Sequence, residues 1–174
     1  PLAMARALSQ AVRHGRVISG GSTLTMQTVR LLEPHPRTLV GKITDVLRAL
    51  QLELHFSKSE ILTFYLTLAP FGGNLEGVKA ASLAYFGRDP AQLTPGQAAL
   101  LVALPQSPTR RRPEVSPDEA RAARDKILQR MADNGLLRPS QVTEAREEYL
   151  PRDRAAVPFR APHLSQRLVS ERRK

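Results

Sequence analysis

The run Gly20-Gly21-Ser22-Thr23-Leu24-Thr25-Met26-Gln27 decides how the chain is read. Two glycines followed by Ser and Thr predict a turn that hands over to a helix, because Gly tolerates a strained backbone and Ser or Thr caps orphan N–H groups. The free N–H groups and positive dipole end of such a helix favour a phosphate. Gln27 and Arg30, three apart, share a helical face and add a side-chain amide and a guanidinium. A bare capped helix is the plainer reading of the run taken alone.

The helix that follows changes that balance. Leu39, Ile43, Val46, Leu47, Leu50 and Leu54 recur at helical spacing and predict one apolar stripe. Lys42, Asp45 and Glu53 fall to one side of it. Lys42 and Asp45 are three apart and can meet, whereas Glu53 stands about 16 Å along the axis from Lys42. With Arg30 and Arg37 just before, three cations and a carboxylate gather near one glycine turn, the composition of a pyrophosphate site.

Outward from this centre the chain reads as helices joined by short turns. Leu2 to Val12 carries Leu2, Ala5, Leu8 and Val12 at helical spacing and predicts a helix ending near Gly15, with His14 as a helix-end cation. The second helix runs from Ser22 to about Leu32, where Pro34 and Pro36 stop it. The Glu33–Arg37 loop is either a rigid connector or the arm that holds Arg37 over the anion. Ser57-Lys58-Ser59-Glu60 is a capping box opening an apolar helix that ends by Pro70; most of that helix is expected in the core, Tyr65 included. Phe71-Gly72-Gly73-Asn74 is a turn. Glu76 to Phe86 predicts a helix with a small-residue face at Gly77, Ala80, Ala81 and Ala84.

Thr94-Pro95-Gly96-Gln97 combines a cap, Pro at the first helical position and Gln at the third, and predicts a buried helix from Pro95 to Leu104. Arg110-Arg111-Arg112 reads as solvated surface. Ser116-Pro117 opens a helix that stops near Gly135, and Pro139 to Tyr149 makes a last one. Residues 1–150 are expected to form one domain and residues 151–174, rich in Pro, Arg and Ala beyond Arg154, a linker. β-Branched residues never alternate over a useful length, so the expected fold class is all-α.

Length and charge bound the function. A chain of 174 residues supports one core. It contains no Cys, which excludes a disulfide framework and thiolate metal sites. Its 26 basic against 16 acidic residues leave a net charge of +10, suited to nucleic acid, anionic lipid headgroups or a pyrophosphate. No stretch reaches the length of a membrane-spanning helix and no signal peptide is evident. The chain opens at Pro1 without an initiator Met, so targeting segments are expected upstream of it.

GGSTLTMQ resembles the second signature motif of the family 51 glycosyltransferases, the peptidoglycan polymerase domains of class A penicillin-binding proteins and monofunctional transglycosylases. KITDVLRALQLE (Lys42 to Glu53) resembles the third motif, R-K-x-x-E-x-x-x-A-x-x-L-E. KSEILTFYLT (Lys58 to Thr67) resembles K-x-x-I-L-x-x-Y-L-N, and GVKAASLAYFGR (Gly77 to Arg88) resembles G-x-x-A-A-x-x-Y-F-G-K. Four motifs in the family's order are far more specific than any one alone. The runs LLEPHPRT, LTLAPFGG and LPQSPTRRRP resemble one subgroup of the class A proteins.

The resemblance implies a lysozyme-like helical fold and polymerisation of lipid II. In that reaction the 4-hydroxyl of an acceptor sugar attacks C1 of a lipid-linked donor with inversion, and undecaprenyl pyrophosphate leaves. The chemistry needs a carboxylate base at the hydroxyl, and donors where charge grows on the leaving group. Carried over by place in the motifs, Ser22, Gln27, Arg30, Arg37 and Lys42 bind the diphosphate. Asp45 stands, one methylene shorter, at the position of the third motif's first Glu. Met26 and Thr67 also depart from the family pattern. The first motif, E-D-x-x-F-x-x-H-x-G, holds the general base and belongs upstream of Pro1, so the 174-residue chain by itself is expected to be inactive.

Implied partners are lipid II with the nascent glycan strand, the bacterial inner membrane surface on its periplasmic side, and a covalently linked transpeptidase domain; nucleic acid is not among them. A divalent cation such as magnesium could screen the pyrophosphate beside Asp45, though no ligand cluster demands one. Two other classes compete: a lipid II-binding scaffold without turnover, kept open by Asp45, and a basic helical nucleic-acid module, suggested by the charge and by the helix-turn-helix look of Asp125 to Glu147.

Overall fold

The computed structural model describes residues 22–36 and 38–155. The expected helix over Leu2–Val12, the Gly20-Gly21 pair, Arg37 and residues 156–174 lie outside the described residues. Among the described residues seven α-helices follow in order: α1 (Leu24–Leu32), α2 (Leu39–His55), α3 (Lys58–Leu68), α4 (Val78–Phe86), α5 (Pro95–Ala103), α6 (Pro117–Asp133) and α7 (Pro139–Glu147). Short 3₁₀ turns sit at Pro90–Gln92 and Leu104–Gln106. Among the described residues there is no strand, only one isolated bridge between Pro70 and Glu76. The all-α expectation holds.

Helix starts follow the chemistry of their caps. Thr23, not Ser22, caps α1, its Oγ1 accepting from Met26 N–H at 3.2 Å. Ser57 and Glu60 close a reciprocal capping box on α3, and Thr94 with Gln97 does the same on α5. Ser116 makes no side-chain cap. α5 links two cores: Leu100 and Leu101 join Phe71, Ala81, Tyr85 and Leu104 in the main one, while Ala99 joins Leu128, Val142 and Ala145 in a second. A third core, Met26, Val29 and Ala49, holds α1 against α2.

Three expectations are corrected. The apolar stripe of α2 faces outward: Leu39 is 83% exposed, Ile43 62%, Leu47 59% and Leu54 82%. The face turned to α1 is instead Gly41, Asp45 and Ala49, four residues apart in turn. Two small residues let the helices approach, and Asp45 finds its ionic partners there. In α3 only Ile61 is fully buried, and Leu62 is exposed. The Arg110–Arg112 run is partly structural: Arg111 donates to the Ala103 carbonyl at 2.9 Å, and the half-buried Arg112 pairs with Glu114 at 2.9 Å. Glu114 also receives Arg154 at 2.7 Å, and Ala155 N–H donates to the Ala84 carbonyl at 2.7 Å, so residues 154 and 155 are tied to the helical body.

Candidate functional site

The connector between α1 and α2 builds the most strongly charged buried point of the described residues. Pro34 and Pro36 end α1 and send the chain across the start of α2, which Thr38 caps by accepting from Gly41 N–H at 3.0 Å. Asp45, one turn further, is fully buried. Arg30, from the last turn of α1, donates through Nη2 to Asp45 Oδ2. His35 Nε2 lies 3.0 Å from Asp45 Oδ1. A carboxylate so enclosed by two basic side chains has its charge answered inside the fold, where the loss of either partner would be costly.

The predicted site residues separate accordingly. Arg30 and Asp45 are brought together, which joins the second motif to the third. Lys42 and Asp45 do not form the expected pair: Asp45 turns inward to Arg30 and His35, and Lys42 is exposed on the outer side of α2. Ser22 is exposed just before α1, about 9 Å or more along the axis from Arg30, and the exposed Gln27 stands one turn before Arg30. Arg37 lies outside the described residues. Arg30 keeps about a third of its side chain open (34%), so its guanidinium can hold Asp45 and still meet a ligand anion.

The residue that sequence reasoning left as a connector is His35. Its Nδ1 lies 2.8 Å from the Glu33 carbonyl and its Nε2 3.1 Å from that of Gly41. Gly41 leaves the space for it: a Cβ there would stand 2.7 Å from His35 Cδ2 and 2.6 Å from the Pro36 carbonyl oxygen. The signal that could have found it is Pro-His-Pro six residues ahead of a glycine that itself precedes the buried acid by one turn.

A second carboxylate braces the same helices. Glu53 accepts from Thr25 Oγ1 of α1 at 2.7 Å and pairs with Lys58 Nζ of α3 at 2.5 Å. The Lys58 hydrogen bond first, and then that from Thr25, hold its carboxyl below the ordinary glutamate range. The motifs at Lys58–Thr67 and Gly77–Arg88 meet as closely. Gly77, at φ +84°, begins α4 against the end of α3, where a Cβ would stand 2.7 Å from the Thr67 carbonyl oxygen. The motifs are thus adjacent in space as well as ordered in sequence.

Asp45 is enclosed by basic groups. The groups around that carboxylate are a guanidinium and an imidazole, and no cluster of three His, Asp or Glu exists among the described residues.

The transglycosylase family model matches residues 1–132. The chain belongs to the transglycosylase family. It is 53% identical over 171 residues to penicillin-binding protein 1C of Escherichia coli (strain K12), covering 98% of this chain and 22% of that protein. It is 38% identical over 146 residues to penicillin-binding protein 1A of Aquifex aeolicus (strain VF5), covering 83% and 20%. The fold is similar to that of the crystal structure of penicillin-binding protein 1A from Haemophilus influenzae, with a TM-score of 0.54 at 23% identity over 87% of this chain and 20% of that one. The chain therefore spans about a fifth of the length of these relatives. Membership also decides between the classes that charge alone left open, in favour of the transglycosylase and against the nucleic-acid module.

Proposed function

We propose that this transglycosylase-family chain is the diphosphate-binding part of a peptidoglycan glycosyltransferase that polymerises lipid II and releases undecaprenyl pyrophosphate. The observation that carries the reading is the Arg30–Asp45 pair, which joins the charged residue after the second motif to the carboxylate of the third. In this reading Asp45 does not take the proton from the sugar hydroxyl. It is buried and bound to Arg30, so its work is to aim the guanidinium at the leaving diphosphate. Lys42 and Arg37 add positive charge, Ser22 and Gln27 add donors at the start of α1, and the base is a glutamate of the upstream motif. The partners are the lipid-linked donor, the growing glycan, the periplasmic face of a bacterial inner membrane and a transpeptidase domain on the same polypeptide.

The test is glycan synthesis from labelled lipid II by the full-length protein. Arg30→Ala and Lys42→Ala should each lower turnover by about tenfold to a hundredfold, the loss of one donor at a developing charge. The 174-residue chain alone should make no glycan. Full turnover in both variants would refute the diphosphate site.

The burial of Asp45 also favours a second reading, a scaffold that binds lipid II without reacting. In that case the full-length protein retains labelled lipid II and yields no polymer.

A further inference from the structure

We propose that His35 is a positioning residue for the transfer, a proton-dependent clamp that fixes Asp45 and through it the Arg30 guanidinium; this rests on the reading of the Arg30–Asp45 pair as the diphosphate site. Three oxygens face the ring: the Glu33 carbonyl at Nδ1, 2.8 Å away, and the Gly41 carbonyl and Asp45 Oδ1 at Nε2, 3.1 and 3.0 Å away. Carbonyls only accept, so the two carbonyl hydrogen bonds require a hydrogen on both ring nitrogens, while Asp45 Oδ1 meets the ring as a charge rather than as an acceptor. A neutral imidazole carries one, and turns a lone pair toward an oxygen on its other edge.

The clamp crosses the connector. Glu33 follows α1, whereas Gly41 and Asp45 belong to the first turns of α2, so the ring ties the two helices at the point where Arg30 reaches over. Asp45 Oδ1 is buried and has no well-aligned donor of its own, which leaves the imidazolium as its counter-charge. Three further charged groups stand near the ring among the described residues. Arg30 faces the same carboxylate from α1, Lys42 beside Gly41 is exposed, and the Glu33 carboxylate is turned away to Arg48 at 3.3 Å. With its proton, His35 leaves the Arg30–His35–Asp45 cluster at +1; without it the cluster is neutral and one edge of the ring repels its neighbour. The clamp is therefore closed while the ring carries both protons and released when it loses one.

The experiment is a pH–rate profile of the full-length protein with a lipid diphosphate donor. His35→Gln cannot present donors on two opposite edges, and it should lower kcat on the order of tenfold near pH 6. It should keep KM within about twofold and lack the fall in rate expected of the unsubstituted protein once the ring gives up its second proton. Gly41→Ala crowds the ring out without changing its chemistry and should flatten the profile in the same way. An unchanged profile in both variants overturns the clamp, as does a loss confined to KM.

Thermal melting supplies a readout that needs no turnover. The gap in Tm between the unsubstituted protein and His35→Gln should be wide near pH 6 and narrow near pH 8.5. That pattern without any glycan synthesis would refute the transfer reading while upholding the clamp. A gap equal at both pH values would overturn the clamp itself.

Discussion

At Glu53 one carboxylate joins three helices. It stands in α2, accepts from Thr25 of α1 and pairs with Lys58 at the start of α3. Its carboxyl titrates below the ordinary glutamate value, chiefly through the Lys58 bond and then through Thr25. A depressed carboxylate contributes stability that is present above the unfolded value of about 4.3 and is lost as the pH falls through the lower folded value. Glu53→Gln should therefore destabilise by about 1 kcal/mol at neutral pH, a modest figure because Lys58 is mostly exposed. The difference from the unsubstituted protein should shrink as the pH falls below about 4, measured by urea unfolding across that range. Glu53 was legible in the sequence as lying off the apolar stripe, and Asp45 likewise. Their partners were not, because a 100° projection gives the side of a helix a residue occupies and says nothing of what packs there. Lys42, three residues before Asp45, was the partner that spacing suggested, yet Arg30 and His35 reached Asp45 through the fold.

At the scale of the element, the strongest constraint outside the site is Arg124 on α6. Its side chain is buried, donating to the Glu148 carbonyl at 2.9 Å, the Arg146 carbonyl at 2.7 Å and Asp125 Oδ1 at 2.9 Å. Two of those bonds satisfy carbonyls at the end of α7, where helical partners run out. Glu148 in turn accepts from Gly96 N–H at 3.2 Å and from Thr94 Oγ1, closing the end of α7 onto the start of α5. Gly96 is needed there, since a Cβ would stand 2.7 Å from the Ala145 carbonyl oxygen. Arg124→Ala strands two buried carbonyls and leaves a void, and should cost about 3 kcal/mol, read as a lower denaturation midpoint with unchanged m-value. The helices themselves were legible: each described helix for which a start was predicted begins within about two residues of it. Capping boxes and Pro at the first helical position are local chemistry, visible in four consecutive letters. Arg124 was not legible, because two of its three acceptors are 22 and 24 residues away and are backbone atoms that no side-chain pattern marks.

Over the whole molecule the outward stripe of α2 is the feature that the cores leave over. Leu39, Val40, Ile43, Leu47, Leu50 and Leu54 are exposed along 17 residues of helix, on a protein of net charge +10. No helix among the described residues is long and apolar enough to cross a membrane, so a bilayer would be met from its surface. An apolar face with basic residues suits an anionic bilayer, where burial and headgroup attraction add. It is also where the proposed function needs contact, because the donor's lipid stays in the membrane while its diphosphate reaches Arg30. Each Ile or Leu side chain moved fully out of water contributes about 1.5–3 kcal/mol, so two partly inserted residues amount to more than tenfold in partitioning. The Ile43→Glu, Leu47→Glu double variant should therefore bind vesicles rich in anionic phospholipid at least about tenfold more weakly than the unsubstituted chain, by sedimentation at fixed salt. Raising the salt separates the two contributions: headgroup attraction is screened, and apolar contact remains. Binding that vanishes at high salt, and is equal in the two proteins at low salt, would assign the whole effect to charge and leave the stripe of α2 without a membrane role.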